Sequence, residues 1–231
     1  MTAAKASSLG TADTGRALER AASLTEEQPV VYIVDDDALV RDSLKDLFRS
    51  VGLEVQTFES APAFLQSRRP DAPGCIVLDV RLPGASGLEF QRLLRDTNIE
   101  FPVIFISGHG DISMTVRAIK SGAIEFLTKP LREQDLLDAV ETGIGRDRAR
   151  RLQARLVAGL QERFELLTSR EREVLTQVVS GRPAKQIAAL LGLSVKTVKV
   201  HRSRVTRKMQ AKSLVDLVRM ADKLGIFHEK S

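Results

Sequence analysis

The chain has little cysteine, histidine or aromatic residue. Its 231 residues include one cysteine, no tryptophan, one tyrosine and three histidines. The lone Cys75 excludes an internal disulfide framework and a multi-cysteine zinc site, and its place in an apolar run predicts a buried, unreactive side chain. His109, His201 and His228 offer little material for a histidine metal site, and His109, between two glycines, is expected in a loop. The shortage of aromatic residues argues against a stacking platform for single-stranded nucleic acid.

Long apolar runs are also missing. No run approaches the roughly 20 residues that a membrane helix needs. The opening Met1-Thr2-Ala3-Ala4-Lys5 leads into polar sequence that lacks the apolar core of a secretory signal. We therefore expect a cytoplasmic protein with no membrane partner.

Charge is unevenly distributed along the chain. Residues 164–231 carry 14 Lys or Arg against 6 Asp or Glu, whereas residues 29–130 carry 11 against 14. The contrast predicts two domains, of which the basic C-terminal one faces a polyanion. We expect a mobile tail over residues 1–28, an α/β domain over 29–145, a helical linker over 146–163 and a helical domain over 164–231.

Short apolar runs alternate with helical patterns in the α/β domain. The predicted strands cover residues 30–34, 53–58, 75–78, 102–106 and 124–127. Helical patterns follow each of them, including one that Asp111 is expected to cap and one that begins at Glu133. Right-handed crossovers place such helices on both faces of a parallel sheet. The pattern therefore predicts a doubly wound, five-stranded parallel α/β fold.

Polar side chains follow four of these strands. They are Asp35 and Asp36 after the first, Asp79 after the third, Ser107 after the fourth and Lys129 after the fifth. In parallel sheets, sites form beyond the carboxyl ends of the strands. Crowded carboxylates and nearby cations suit Mg²⁺ and a transferring phosphoryl group. We expect Asp79 to accept the phosphoryl group, Asp35 and Asp36 to hold the metal, and Ser107 and Lys129 to donate to phosphoryl oxygens.

Taken alone, Asp79 would also suit two different roles. An Asp just after a strand is commonly a turn former or helix cap. A phosphatase of the haloacid dehalogenase type also uses a strand-end Asp, but its Asp-X-Asp-X-Thr motif is replaced here by Asp79-Val80-Arg81, without the second carboxylate. Only the polar residues at the other strand ends therefore favour Asp79 as a phosphoryl acceptor.

Asp35-Asp36, Asp79, Ser107 and Lys129-Pro130 resemble the receiver domain of two-component response regulators, which has a CheY-like fold. The resemblance implies that a sensor histidine kinase phosphorylates Asp79, with Mg²⁺ held partly by the backbone carbonyl of Arg81. It further implies a cis Lys129–Pro130 peptide bond and a joint movement of Ser107 and Phe126. Ser107 and Phe126 replace a commoner Thr and Tyr. Such a protein is not an enzyme, but it takes part in its own phosphotransfer and dephosphorylation.

The linker carries an apolar helix face. Leu152, Leu156, Leu160 and Phe164 recur every four residues, and Gly143 and Gly145 before them are expected to interrupt the helix. Two alternatives remain open for the linker. It is either a long connecting helix that pairs with its twin in a dimer or a helix that lies on its own domains.

The basic C-terminal segment predicts four short helices. A tight Gly192-Leu193-Ser194 turn joins the second to a third that begins at Val195, as in a helix-turn-helix. Residues 185–188, 193–194 and 197–201 resemble the LuxR-type helix-turn-helix of the FixJ/NarL family. The resemblance predicts that residues of the third helix contact DNA bases. The Lys and Arg residues beside them are expected to contact phosphates. The DNA-binding candidates are Lys196, Thr197, Lys199, Val200, His201, Ser203, Arg204, Arg207 and Lys208.

Together these features predict a phosphorylation-activated transcription regulator. Its expected partners are a sensor histidine kinase, promoter DNA, a second copy of the chain when phosphorylated, and RNA polymerase. The resemblance to response regulators implies a dimer surface at the helix of residues 111–121 and the strand of residues 124–127. A ligand-gated quorum-sensing regulator with the same output module is the alternative, but its N-terminal half would need a small-molecule pocket in place of the acidic residues.

Overall fold

The computed structural model describes residues 27–84, 86–108 and 112–226. Most of the predicted N-terminal tail lies outside these residues, as do His109, the predicted helix cap Asp111 and His228. The described chain contains two compact units, and the division between them falls between Leu152 and Gln153.

Five parallel strands form the sheet of the first unit. They are β1 (Val30–Val34), β2 (Glu54–Phe58), β3 (Gly74–Asp79), β4 (Val103–Ser107) and β5 (Glu125–Thr128), in the spatial order β2-β1-β3-β4-β5. The predicted doubly wound parallel fold is confirmed. All six residues of the central β3 are buried. Burial on both faces explains why this strand is continuously apolar rather than alternating.

Helices cover both faces of the sheet. They are α1 (Ala38–Ser50), α2 (Ala61–Gln66), α3 (Gly87–Asp96), α4 (Ile112–Lys120) and α5 (Glu133–Glu165). The side chains of β1 alternate between the two faces of the sheet. Val31 and Ile33 pack with residues of α1 and α5, whereas Val30, Tyr32 and Val34 pack with residues of α2, α3 and α4. The alternation follows from the two-residue repeat of a strand.

The strand order reverses direction between β1 and β3. The chain moves from β1 outward to β2, then returns to β3 on the other side of β1. Asp35 follows β1 and Asp79 ends β3, so the two carboxylates lie at this switch point. Ligand sites of open α/β sheets form at such points.

Helix α5 is one continuous helix of 33 residues. The prediction that Gly143 and Gly145 interrupt it is wrong. A helical glycine costs only about 1 kcal/mol, and packing outweighs that cost here. A Cβ at Gly143 would lie 3.0 Å from Cys75 Cβ, so this glycine lets the helix approach β3 closely. Cys75 itself is buried, as predicted.

A buried carboxylate holds the middle of α5 to the sheet. Asp147 is fully buried and accepts hydrogen bonds from the Gly74 N–H at 3.0 Å, from Arg150 Nε at 2.9 Å and from Arg151 Nε at 2.8 Å. Arg151 also pairs with Asp71. The helix is therefore packed in the first unit as far as Arg151, whereas we expected the linker to begin at residue 146.

The second unit is helical. It contains the end of α5 together with α6 (Ser169–Val179), α7 (Ala184–Leu191), α8 (Val195–Met209) and α9 (Leu214–Lys223). Gly192 ends α7 with φ of 66°, a left-handed conformation that glycine adopts without strain. Ser194 then caps α8 by accepting from the Thr197 N–H at 3.0 Å. This is the predicted helix-turn-helix. Among the described residues, no helix is both long and apolar enough to cross a membrane.

Candidate functional site

Two carboxylates and one ammonium meet at the carboxyl ends of the strands. Lys129 Nζ lies 2.8 Å from Asp35 Oδ2 and 3.1 Å from Asp79 Oδ1. Asp35 and Asp79 are 1% and 6% exposed. The peptide bond between Lys129 and Pro130 is cis, as the resemblance implied. The structure thus brings together three of the predicted site residues.

Burial and charge act against each other in this group. Burial raises the pKa of Asp79, and the charge of Asp35 adds to this effect, whereas hydrogen bonds from Lys129 and the Arg81 N–H oppose it. Burial alone would lower the pKa of Lys129, but its hydrogen bonds to both carboxylates hold that pKa above the usual value. The ammonium therefore stays charged beside the carboxylates at neutral pH.

The acidic loop after β1 is held by contacts that were not predicted from the sequence. Asp37 caps α1 by accepting from the Leu39 N–H, and its own N–H donates to Asp35 Oδ1, each at 2.9 Å. Arg41 Nη1 donates to the backbone carbonyls of Asp35 and Asp36 at 2.8 and 2.9 Å. An arginine one turn into the helix gave no distinct signal in the sequence.

The donor set at these strand ends fits Mg²⁺. Asp35 and Asp79 share a single ammonium, so they retain excess negative charge and hard oxygen donors. Asp36 is exposed, and its carboxylate makes no hydrogen bond or ion pair in the described part of the chain. Among the described residues, no three His, Cys, Asp or Glu side chains are grouped to enclose a metal ion. Such a site suits a cation that keeps much of its water shell.

Arg81 and Asp79 are joined by a tight turn. The Arg81 N–H donates to Asp79 Oδ2 at 2.6 Å, and the Arg81 side chain is exposed. The backbone of Arg81 therefore lies beside the Asp79 carboxylate.

Ser107 and Phe126 lie on the last two strands. Ser107 is buried, and its carbonyl accepts from the Lys129 N–H at 2.8 Å, so the end of β4 positions the backbone of Lys129. The Phe126 ring is also buried, with its centroid 6.2 Å from that of Phe105.

Helix α8 presents a basic face. Its apolar side chains Val198, Val205 and Met209 are buried in the core of the second unit. Residues three and four apart share a face of a helix, and the opposite face is exposed. That face carries Lys196, Lys199, Val200, Ser203, Arg204 and Arg207.

Three further DNA-binding candidates are only partly exposed. The hydroxyls of Thr197 and Ser194 lie 2.8 Å apart, and His201 Nδ1 is buried without a hydrogen-bond partner among the described residues. Lys208 Nζ lies 2.6 Å from Glu171 Oε2 and donates to the Leu166 carbonyl at 3.0 Å. Lys208 therefore uses its ammonium within its own unit.

Both units match known families. Residues 31–141 match the family described as response regulator receiver domain, and residues 165–221 match the luxR family of bacterial regulatory proteins. Nodulation protein W of Bradyrhizobium diazoefficiens is 55% identical over 85% of this chain and 87% of its own length. Response regulator protein TodT of Pseudomonas putida is 46% identical over 87% of this chain and 88% of its own.

Solved structures of response regulators are also similar to this chain. The response regulator StyR is 48% identical and covers 85% of this chain and 99% of its own, with a TM-score of 0.75. Full-length FixJ from B. japonicum is 36% identical over 86% of this chain and 98% of its own, with a TM-score of 0.51. The chain therefore belongs to the response regulators that join a receiver domain to a LuxR-type DNA-binding domain and act in transcription.

Proposed function

We propose that phosphorylation of Asp79 by a sensor histidine kinase controls DNA binding by this transcription regulator. The observation that carries the proposal is the shared ammonium of Lys129, which pairs with Asp35 at 2.8 Å and with Asp79 at 3.1 Å. The hydrogen bond from Lys129 opposes the rise in the Asp79 pKa that burial causes, and an ionised carboxylate can act as a nucleophile.

In this reaction an Asp79 carboxylate oxygen bonds to phosphorus as the bond from phosphorus to the kinase histidine breaks. The Lys129 ammonium and the Ser107 hydroxyl donate to the phosphoryl oxygens. Asp35, Asp36, Asp79 and the Arg81 carbonyl would hold Mg²⁺, which neutralises negative charge on the carboxylates and phosphoryl group. Water later releases phosphate from Asp79, so the receiver takes part in its own phosphorylation and dephosphorylation without turning over a separate substrate.

The phosphoryl group favours one of two receiver states. Ser107 and Phe126 move together in this change. Ser107 ends β4, which pairs with the strand that Asp79 ends, and Phe126 belongs to the same core cluster as Ala118 of α4. The change exposes a dimer surface on α4 and β5. Two copies of the chain then place two DNA-binding modules on paired half-sites.

Helix α8 enters the major groove of promoter DNA. The central exposed residues Lys199, Val200 and Ser203 face the base edges. Phosphates contact the flanking residues Lys196, Thr197, Arg204 and Arg207, with His201 at the edge of the interface. Lys208 is left out of the phosphate contacts because it pairs with Glu171. The dimer bound to promoter DNA acts on RNA polymerase. Because this action takes place in the cytoplasm, we place the protein there.

The direct test is Asp79→Asn in the full chain. The amide cannot form the acyl phosphate, so we expect no labelling by acetyl phosphate and weaker promoter binding in its presence. Asp96→Asn is the matched control, because Asp96 is an exposed carboxylate at the end of α3. Labelling of the Asp79 variant at the wild-type level would refute the assignment.

A further inference from the structure

A cationic groove lies between α3 and α4 of the receiver. Arg92 of α3, Arg117 and Lys120 of α4, and Arg81 of the loop after β3 line it. All four side chains are exposed. Acidic residues outnumber basic ones over residues 29–130, so this concentration of cations runs against the charge of the domain.

The protein opposes the cations of the groove only weakly. In the described part of the chain, none of the four side chains makes an ion pair or a hydrogen bond. Glu89 is the only acidic residue among the described ones that line the groove. Its carboxylate accepts from the Ser86 N–H at 2.8 Å and from Ser86 Oγ at 3.0 Å. These hydrogen bonds, with a smaller effect from the charge of Arg92, lower the pKa of Glu89. One engaged carboxylate therefore faces four cations.

The lining between the cations is apolar. Val80 and Leu82 are buried, and Leu88 and Met114 are partly buried against the core. An inorganic anion would leave the exposed parts of Leu88 and Met114 uncovered. A ligand that fits both features has an apolar body as well as negative groups.

We propose that the groove binds a small molecule with two or more acidic groups on an apolar body. The body covers Leu88 and Met114, while acidic groups reach Arg92 on one wall and Arg117 and Lys120 on the other. The groove adjoins the loop after Asp79 and the helix after Ser107, so its occupant touches both segments. Binding does not require phosphoryl transfer, and the inference stands independently of the function proposed above.

The probe for this site is bis-ANS, an aromatic molecule with two sulfonate groups. It is titrated into the ¹⁵N-labelled full chain, with amide NMR shifts as the readout. We expect saturable shifts at Leu88, Arg92, Arg117 and Lys120, and a dissociation constant raised at least about tenfold by Arg117→Ala with Lys120→Ala. Sodium sulfate alone, over the same concentrations, should produce no saturable shifts there.

The matched control is Arg49→Ala with Arg95→Ala, which removes the same charge from exposed positions outside the groove. It should change the affinity by less than about twofold. Equal losses in the two double variants would overturn the proposal, because they would indicate attraction by net charge. Unchanged affinity in the Arg117 and Lys120 variant, or shifts confined to α8, would overturn it too.

Discussion

Lys208 and Arg207 are neighbours on α8, but their surroundings differ. Arg207 is exposed on the basic face, whereas Lys208 pairs with Glu171, whose side chain is 3% exposed. Burial alone would raise the pKa of Glu171, but hydrogen bonds from Lys208 and the Thr168 N–H outweigh it and hold this pKa below its usual value. In the sequence the two residues are adjacent cations with no visible difference. Only the fold gives Lys208 a carboxylate partner and leaves Arg207 exposed.

We expect Lys208→Met to destabilise the second unit at pH 7 by about 2 kcal/mol, because it leaves a buried carboxylate without its cation. A lowered pKa contributes stability that is present above the usual Glu value and disappears as the pH falls through the folded value. The deficit of the variant should therefore shrink in acid. Urea unfolding of the full chain, followed by amide NMR signals of α6 and α8, measures it.

Arg207→Met is the control for this prediction. It should leave the free energy of unfolding within about 0.5 kcal/mol of wild type and instead weaken DNA binding and flatten its salt dependence. Should Lys208→Met prove as stable as wild type while losing DNA affinity, the lysine would return to the set of phosphate contacts.

Among the elements, α5 departs most from its sequence pattern. Two glycines close together predict a helix break from propensity alone, yet the helix continues through both. Gly143 is buried against Cys75, whereas Gly145 is exposed, with nothing within 4 Å of the Cβ it lacks. The two glycines differ because the face of α5 that carries Gly143 packs on the sheet, whereas Gly145 lies on another face. Which face packs is decided by the tertiary structure.

The two glycines should respond oppositely to alanine. Gly145→Ala should stabilise the receiver by about 0.5–1 kcal/mol through helix propensity. Gly143→Ala gains the same propensity but forces its methyl group against Cys75 Cβ on the central strand, so we expect a net loss of about 1 kcal/mol. Thermal unfolding monitored by circular dichroism compares them. A stabilised Gly143 variant would contradict the close helix packing described above.

For the molecule as a whole, the proposed dimer surface and the basic helix belong to separate compact units. If phosphorylation drives assembly, beryllofluoride with Mg²⁺ should convert monomers to dimers, as measured by size-exclusion chromatography with light scattering. Promoter affinity should rise with dimer formation, because two modules then bind together. It should also fall steeply between two salt concentrations, because DNA binding releases counterions.

The variant proposed above as the test of phosphorylation is also the control for this dimerisation experiment. Asp79→Asn should stay monomeric with beryllofluoride, because the reagent binds the acceptor carboxylate. A dimer that forms equally without beryllofluoride would contradict the switch, and a flat salt response would contradict the role assigned to the α8 cations.

Much of the site could be predicted because its residues lie at the ends of apolar strands. Asp35, Asp79, Ser107 and Lys129 each follow a clear strand, and parallel strands place their carboxyl ends at one edge. Arg41 and Asp147 could not be predicted in the same way. Arg41 acts on backbone carbonyls of its own loop, and Asp147 bonds to a strand more than 70 residues away. Neither contact leaves a local pattern.

The sequence by itself determined the succession of strands and helices along the chain, the acidic strand ends and the basic helix of the C-terminal domain, because hydrophobic period, caps and charge are local properties. Only the tertiary structure decided which cations pair with carboxylates and which do not. Lys129 is shared between two carboxylates, Lys208 is tied to Glu171, and Arg92, Arg117 and Lys120 stay unpaired around one groove in the described part of the chain. The reason is physical: the effect of a charge depends on its distance from other charges and on its burial, and both are set by the fold.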